Sequence, residues 1–581
     1  MDGFEPKKIV SLLAGFLLVA TAIISGSIYP ASKDVFTAAV MAAFFISLVR
    51  PDVVALKRLW PAWALLGITF LGSFWTVSIG DTLGQAFTLT ACAVFAYIVA
   101  YAAGRSTKEA LLKAMLIAAV LVSAYGIYQY FIGFAHTEQY LRAAGAASGL
   151  SADELARASA HLSYRRAFST MLSPNALACY LAMAFPVALG FALGTSYRKR
   201  RAVYVIVMLL MIAALALTKS IGGFIAFSAG VLVFFTLMAS TGRISLLHKR
   251  TVAAVVITAL LVGVAGYAIV KQRTGGFFGI ERSYSERMGY WTTSVRAAAE
   301  APLIGTGAGT FGNVYLRHIE PGAGETRYAH NLFIQLLVET GLPGLAAIVV
   351  VFFIFFLRCF KGIREGGEKD ATLVAGVAAG GAAFLVHNLV DFTYFVPETA
   401  VLFWFYFGLA SGQGREDRPG GSTKALLLKT VLAVLGMVFC FFYAKSYLAA
   451  QRESEALYIL RENGITSADA ARSNPAPYEA VRLAGEAVSL KPFDSVLRAF
   501  LAGLYEGEAS IKGPEYIARA EAQYKEAIRL SPRYPYNYRD LGILYLKLGQ
   551  KEKAREQFQR ALDNYPSSEA FKKYLLTTEK Q

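Results

Sequence analysis

Residues 198–243 read RKRRAVYVIVMLLMIAALALTKSIGGFIAFSAGVLVFFTLMASTGR. Two apolar runs, beginning near 202 and 221, meet at the short turn Leu217-Thr218-Lys219-Ser220-Ile221-Gly222-Gly223, and basic residues flank both far ends: Arg198, Lys199, Arg200 and Arg201 before the first, Arg243 after the second. A bilayer core about 30 Å thick takes roughly 20 apolar residues as helix, and Lys and Arg are retained in cytoplasmic loops. The stretch reads as a membrane-crossing helical hairpin with its turn on the outer face.

Working outward, further apolar runs begin near residues 9, 34, 58, 84, 109, 168, 252, 332, 371, 397 and 425, making about thirteen spans. Of the 581 residues 56% are hydrophobic and 17% charged, against roughly 25% charged in soluble domains, which excludes an ordinary soluble protein. The net charge of +17 sits in short clusters between apolar runs, so it reads as an orientation signal and not as a nucleic-acid surface. Cys92, Cys179, Cys359 and Cys440 are far apart and lie in or beside apolar runs, with no CxxC. They indicate neither a disulfide framework nor a metal site, and no cofactor motif is present.

With the N-terminus inside, the inner loops carry Arg50, Lys57 and Arg58; Arg105 and Lys108; Arg198–Arg201; Arg243, Lys249 and Arg250; Arg358, Lys361, Arg364 and Lys369; and Arg415, Arg418 and Lys424. The short loops between them are nearly bare of basic residues, which fixes the frame and places two long loops, 135–167 and 272–331, outside. The first run, Ile9–Tyr29, reads as a retained signal anchor, being longer than a signal-peptide core. The thirteenth, Ala425–Ala444, carries the rest of the chain to the outer face. The expected organisation is all-α: a polytopic membrane helix bundle over 1–444, then a soluble helical domain over 445–581.

That second domain repeats itself. Ala487-Val-Ser-Leu-Lys-Pro492, Ala527-Ile-Arg-Leu-Ser-Pro532 and Ala561-Leu-Asp-Asn-Tyr-Pro566 are one helix ending written three times, the last two prolines 34 residues apart. This is the tetratricopeptide period. Tyr538, Leu541, Gly542, Tyr545, Ala554, Phe558 and Ala561 hold the small and aromatic positions of that repeat. The clearest copies span 515–568, the earlier interval of 40 residues reads as an insertion around Ala509–Glu515, and the concave surface of such an array suits a protein partner.

Polar groups at the outer boundary are where chemistry is expected, because each is costly unless it faces protein or water. Four clusters stand out: Arg165-Arg166 with Ser173-Pro174-Asn175; the turn holding Lys219 and Ser220; Arg287 with Tyr290 and Trp291, followed by Pro302-Leu-Ile-Gly305-Thr-Gly307; and His330-Asn331 followed by Glu339-Thr-Gly341-Leu-Pro343-Gly344. His387 and Asp391, near the outer end of the eleventh span, read foremost as a helix-positioning pair. Glu339, inside an apolar span, needs a partner. Asn175 reads as a cap or interhelical bond. Gly307-Ala-Gly309-Thr-Phe-Gly312 matches GxGxxG without a preceding strand, so it reads as a tight loop and not as a dinucleotide site.

The order Arg…Trp, Pro-Leu-Ile-Gly-Thr-Gly, His-Asn and Glu-Thr-Gly-Leu-Pro-Gly, preceded by Ser-Pro-Asn and followed by His387-Asn-Leu-Val-Asp391, resembles the O-antigen ligase and polymerase superfamily of bacterial envelope glycosyltransferases. The resemblance covers about residues 1–412. It implies an inverting, metal-independent membrane glycosyltransferase of the GT-C type, without a cofactor, in the bacterial inner membrane. Such an enzyme moves a glycan from undecaprenyl pyrophosphate to an acceptor hydroxyl: the lipid A core in the ligase branch, another carrier-bound glycan in the polymerase branch, a protein hydroxyl in a third. A glycolipid transporter is the rival from another class, but it wants charges within the spans and internal repeats.

Pyrophosphate wants bidentate guanidinium donors, and Arg287 is the first candidate. Imidazole is available unprotonated near neutrality to take the acceptor's proton, and His330 is that candidate. The resembling family's short turn commonly reads Thr-x-Ser-Arg-Gly; here Ile221 stands where the arginine is expected. Arg166 and Lys219, or Arg165, are the cations that remain to supply the second phosphate contact. Ser220, Asn175, Tyr290, Trp291, Asn331, Glu339, His387 and Asp391 are supporting candidates.

Overall fold

Pro343 cannot donate a backbone hydrogen bond to residue 339, and the helix around it is broken accordingly. This happens in a long helix, Leu332–Glu365, where Gly341 adopts φ +64° and the axis kinks. Leu342 N–H turns away to the carbonyl of Pro302 (3.0 Å), which leaves the carbonyls of Val338 and Glu339 without helical partners. The loop 302–309 fills the gap: Thr306 N–H donates to Val338 (3.0 Å) and Gly307 N–H to Glu339 (2.8 Å). A β-carbon on Gly305 would stand 2.4 Å from the backbone of Glu339, and one on Gly341 2.6 Å from Leu303. The two glycine motifs seen in the sequence are thus the two halves of one joint.

The computed structural model describes residues 5–24, 30–144, 162, 165–241, 278–412 and 423–579, and among these it contains helices and no strand. The chain runs through α1 (Pro6–Ile23), α2 (Pro30–Ser47), α3 (Val53–Arg58), α4 (Trp60–Leu71), α5 (Ile79–Ala102), α6 (Arg105–Tyr128) and α7 (Phe134–Ala144). It continues through α8 (Pro174–Leu193), α9 (Arg198–Thr218), α10 (Ile221–Ser240), α11 (Phe278–Ala298), α12 (Phe311–Tyr315), the kinked α13 (Leu332–Glu365), α14 (Glu368–His387), α15 (Pro397–Ser411) and α16 (Thr423–Glu462). Nine helices among the described residues are long and apolar enough to cross a membrane. Shorter α2, α4 and α15 coincide with the runs near 34, 58 and 397. The run near 252, with Lys249 and Arg250 before it, lies outside the described residues, as do Arg243, Arg415 and Arg418.

Several boundaries differ from the sequence reading: the first helix ends at Ile23 and not Tyr29, the run near 84 begins at Ile79, and the helix of the thirteenth span continues past Ala444 to Glu462. The span placed near 168 starts at Pro174, because Ser173 caps it by accepting from Ala176 N–H (3.2 Å) and Pro174 suits the first turn. This helix, α8, is the buried centre of the bundle, with α6, α9, α10, α14 and α15 packed around it. Glycines on α14 let the backbones touch: a β-carbon on Gly380 would lie 2.5 Å from the carbonyl oxygen of Met183. Close approach of this kind holds helices together where lipid removes the hydrophobic drive.

The two ends of the bundle differ in chemistry. At one end Arg58 donates to the Ser411 carbonyl (3.2 Å), Arg358 to the Ser411 hydroxyl (2.7 Å), and Lys369 pairs with Glu109 (2.6 Å). At the other lie α11, α12 and the joint at Gly341. At 1.5 Å per residue, Arg358 stands roughly 40 Å along α13 from its start.

Beyond the bundle, α16 is continuous for 40 residues and leads into α17 (Ala468–Ser473), α18 (Tyr478–Leu490), α19 (Ser495–Lys512), α20 (Pro514–Leu530), α21 (Pro535–Lys547), α22 (Lys551–Asn564) and α23 (Glu569–Glu579). The three repeated endings are alike in space. Lys491, Ser531 and Tyr565 donate backbone N–H groups to the carbonyls of Ala487, Ala527 and Ala561 (each 3.0 Å), and the three alanines are fully buried. The interval of 40 has a local cause: α19 and α20 have 18 and 17 residues where α21 and α22 have 13 and 14. The extra length is absorbed by extending helices and not by a loop.

This tail is docked on the bundle end that carries α11 and α12. Arg533 forms an ion pair with Glu300, which His318 (2.8 Å) and Arg317 (3.5 Å) also approach. Burial works to raise the Glu300 carboxyl, but Arg533, His318 and Arg317 outweigh it and hold the group below the usual carboxylate range. Tyr536 donates to Glu325 (2.7 Å), and Asn313 bridges Asp81 of α5 (3.1 Å) and Ser531 of the tail (3.4 Å).

Candidate functional site

Five chain segments converge where α8, α10, α11 and α13 begin or turn, and their meeting point is the buried carboxylate of Asp391. Asn175, in the first turn of α8, donates to Asp391 Oδ2 (2.6 Å). Its own Oδ1 accepts from Arg166 Nη2 (3.0 Å) and Ser220 Oγ (2.8 Å). Arg166 is anchored further by donating through Nε to the Thr218 carbonyl (2.9 Å). From α11, Arg287 Nη2 stands 4.0 Å from Asp391 Oδ2. From the loop before α13, His330 Nδ1 stands 3.9 Å from Asp391 Oδ1, which also accepts from Phe392 N–H (2.8 Å). One carboxylate therefore organises two guanidinium groups and an imidazole.

The surroundings fix these groups. Arg287, Tyr290 and Trp291 share a face of α11 by i, i+3, i+4 spacing. The Tyr290 ring stacks on His330 (centroids 5.3 Å apart), and Phe392 meets the imidazole edge-on at 4.8 Å. Trp291 is half-buried, and its indole N–H has no hydrogen-bond partner among the described residues. His330 itself has φ +51°. It is held there because Ala329 N–H donates to Gln335 Oε1 (3.0 Å), Asn331 caps α13 through Phe333 and Ile334 N–H, and Asn331 Nδ2 donates to the Leu389 carbonyl (2.9 Å).

Among the described residues four non-glycines have positive φ: Arg165, Ser169, Lys219 and His330. All four lie in segments that build this face. Backbone strain of this kind costs on the order of 1–3 kcal/mol each and collects where function requires it. Burial pushes the His330 imidazole below its ordinary value; the Asp391 carboxylate opposes that shift and Arg287 adds to it. The ring is thus biased to the neutral, proton-accepting form.

The site candidates from the sequence are brought together only in part. Arg166, Asn175, Ser220, Arg287, Tyr290, His330 and Asp391 are gathered into one cluster. His387 is adjacent but fully buried, with Nδ1 beside Thr393 Oγ1 (3.2 Å) and Nε2 near Gly222 without a hydrogen-bond partner among the described residues. Asn331 and Glu339 serve the supporting frame. Asn331 caps α13, and Glu339 Oε1 accepts from Gln335 (3.0 Å) and Phe311 N–H (3.4 Å) at the joint.

Arg165 is exposed, and Lys219 caps α9 in a left-handed conformation with its ammonium 5.5 Å from the centre of the Tyr130 ring. With Ile221 opening α10, Arg166 is hydrogen-bonded into the cluster through Asn175. Sequence reasoning missed Gln335, which ties His330's loop to Glu339; its signal was the four-residue spacing from Glu339 on one helix face. It also missed Phe392, whose only mark was standing next to Asp391.

Residues 206–349 match the family model described as O-Antigen ligase. The match takes in Lys219, Arg287, His330 and Glu339, while Arg166, Asn175 and Asp391 come from outside it and are brought in by the fold. Among curated proteins the chain is similar to "Exopolysaccharide production protein ExoQ" of Rhizobium meliloti (strain 1021), 27% identical over 140 residues. That alignment covers 23% of this chain and 32% of the relative. Both similarities point to the O-antigen ligase-like superfamily, and the apolar helices make the chain a multi-pass membrane protein.

Proposed function

We propose that this protein is an envelope polysaccharide ligase, transferring a glycan from undecaprenyl pyrophosphate to a hydroxyl of a lipid A core-like acceptor on the outer face of the inner membrane. The observation that carries the reading is the cluster around Asp391, which sets two arginines beside a strained, neutral-biased histidine. Arg287 and Arg166 would bind the donor pyrophosphate, where negative charge grows as the glycosidic bond breaks.

In the proposed step the acceptor oxygen attacks the anomeric carbon from the face opposite the pyrophosphate. The new C–O glycosidic bond forms, the bond to the phosphate oxygen breaks with its electron pair leaving on polyprenyl pyrophosphate, and the acceptor's proton passes to His330. Asp391 acts as a positioning residue: it orients the imidazole and stabilises the imidazolium that forms. The 3.9 Å separation is of the loose kind expected before substrates bind. In this reading the bundle is a GT-C-type transferase domain, and the paired helices of the tail are tetratricopeptide repeats with a surface for a protein partner.

Purified full-length protein with a polyprenyl-linked glycan and a lipid A core acceptor should form the ligated product, and Arg287→Ala or His330→Ala should abolish it. Full activity in the double variant would sink the reading. The similarity to a protein named for exopolysaccharide production favours one second reading, a polymerase. A deletion strain displaying single glycan units on its lipid A core supports the polymerase; bare core with accumulated carrier-linked long glycan supports the ligase.

A further inference from the structure

A cavity of about 590 Å³ lies between the bundle and the docked tail, within the range of small-molecule sites. Asp81 and Gln85 of α5 line one side, and Tyr534 and Tyr536 of the tail line the other. The cavity is bounded towards the catalytic cluster by Tyr328, which stacks face to face on Phe392 (centroids 4.5 Å apart, planes 3° from parallel). Phe392 is the ring that meets His330 edge-on. The cavity and the proposed proton acceptor thus share one aromatic wall.

Its chemistry is the reverse of the arginine cluster's. The lining carries the carboxylates of Asp81, Glu325, Glu339 and Asp494 against the cations Arg327 and Lys491, and Lys491 is already paired with Asp494 (2.6 Å). With acidic groups outnumbering cations, such a surface is a poorer host for a pyrophosphate than the arginine cluster. It suits a neutral polyhydroxyl chain, whose O–H groups donate to carboxylate and amide oxygens and whose apolar ring faces rest on tyrosine.

We infer that this cleft holds the acceptor's glycan chain, with its reacting hydroxyl directed past Tyr328 towards His330, so that the tail supplies half of the acceptor site. The inference rests on the glycosyl-transfer reading above. The tail contributes the loops before α19 and α21 together with the first residues of those helices.

The test uses full-length protein in nanodiscs and two probes, core oligosaccharide and repeat-unit oligosaccharide, each released by mild acid from the envelope glycans of the producing strain. Binding is read by saturation-transfer NMR and calorimetry, and the KM values of donor and acceptor are read separately. Tyr534→Ala on the tail wall and Gln85→Ala on the bundle wall should each weaken binding of one probe at least tenfold. They should raise the acceptor KM by a similar factor and leave the donor KM unchanged. Tyr534→Phe, which keeps the ring, should bind as the unaltered protein does, and Gln85→Ala leaves the tail contacts intact, which guards against a merely detached tail.

The inference is overturned if the unaltered protein binds neither probe, if both alanine variants bind as tightly as it does, or if the donor KM rises instead. Loss of binding in the cleft variants, alongside full transfer by Arg287→Ala and His330→Ala, would keep the cleft and remove the proposed chemistry. Unchanged cleft variants alongside inactive Arg287→Ala and His330→Ala would do the opposite.

Discussion

Asp391 shows how a buried charge becomes useful when several segments share it. Alone it is a costly group; here Asn175, the Phe392 N–H, Arg287 and His330 surround it. The pH dependence of transfer tests this arrangement directly. Burial lowers the His330 imidazole below about 6.5, so a reaction needing the neutral ring should keep its rate on acidification to that point and fall only below it. The Asp391 carboxylate favours the protonated ring, so Asp391→Asn removes a raising influence and should move the acid limb of kcat/KM to still lower pH. A limb that stays put or moves upward would show that Asp391 acts on the ring in some other way. Arg287→Lys, which replaces a planar fork by a point charge, should lose about 10²-fold in kcat, the scale set by removing one well-placed donor. Arg287 and His330 were legible in the sequence because charge counting places their loops on one face. Asp391 read foremost as a helix-positioning residue and only as a supporting site candidate, because its partners come from positions 166, 175, 287 and 330 and no local pattern carries such distances. Arg166 and Lys219 read ahead of Arg165 from sequence; the left-handed turns at 165 and 219 carry no local sequence signal, and it is Arg166 that bonds Asn175.

At the level of elements, the joint between the 302–309 loop and α13 decides where His330 and α11 sit, and its central bonds, from Thr306, Gly307 and Leu342, join backbone groups. The sequence announced the kink through Gly341 and Pro343. It could not say what satisfies the carbonyls orphaned at the kink, since the answer is a loop 32 residues earlier in the chain. Gly305→Ala probes this. Its φ of +71° and a β-carbon 2.4 Å from Glu339 combine conformational strain with overlap against backbone, which cannot step aside. The substitution should cost at least about 1–3 kcal/mol, lower the thermal unfolding midpoint, and reduce transfer by displacing the segments on either side. Gly322→Ala is the matched control: φ is +79° but nothing lies within 4 Å of the added carbon, so it should show the strain alone and leave transfer unchanged. Equal effects of the two substitutions would mean that the close approach at the joint is not what holds it. The helical pairing of the tail was legible for the opposite reason. Its contacts are local, so the buried alanines at 487, 527 and 561 recur at the same place in each ending.

For the whole molecule, the question is which face of the membrane holds the chemistry. Two independent lines bear on it. In the proposed orientation Arg58, Arg358 and Lys369 face the cytoplasm, and the fold collects them at the end of the bundle away from Asp391. The tail, whose side depends in sequence on a single span near 425, is fastened through Arg533 and Glu300, Tyr536 and Glu325, to the loops that carry the site. Tail and site must therefore share a face, whatever that face is, and a miscounted span would move neither without the other. Single cysteines in a Cys440→Ser background make this measurable, because Cys92, Cys179 and Cys359 are buried and Cys440 is only partly covered. Ala323→Cys in the outer loop and Glu552→Cys in the tail both replace exposed residues. Both should react with a membrane-impermeant maleimide in intact spheroplasts. Lys361→Cys, exposed at the basic end, should react only after permeabilisation. Labelling of Lys361→Cys alone would invert the orientation and carry the proposed outer-face reaction with it. Labelling of Ala323→Cys without Glu552→Cys would separate tail from site, and a tail on the opposite face could not form one wall of a glycan cleft.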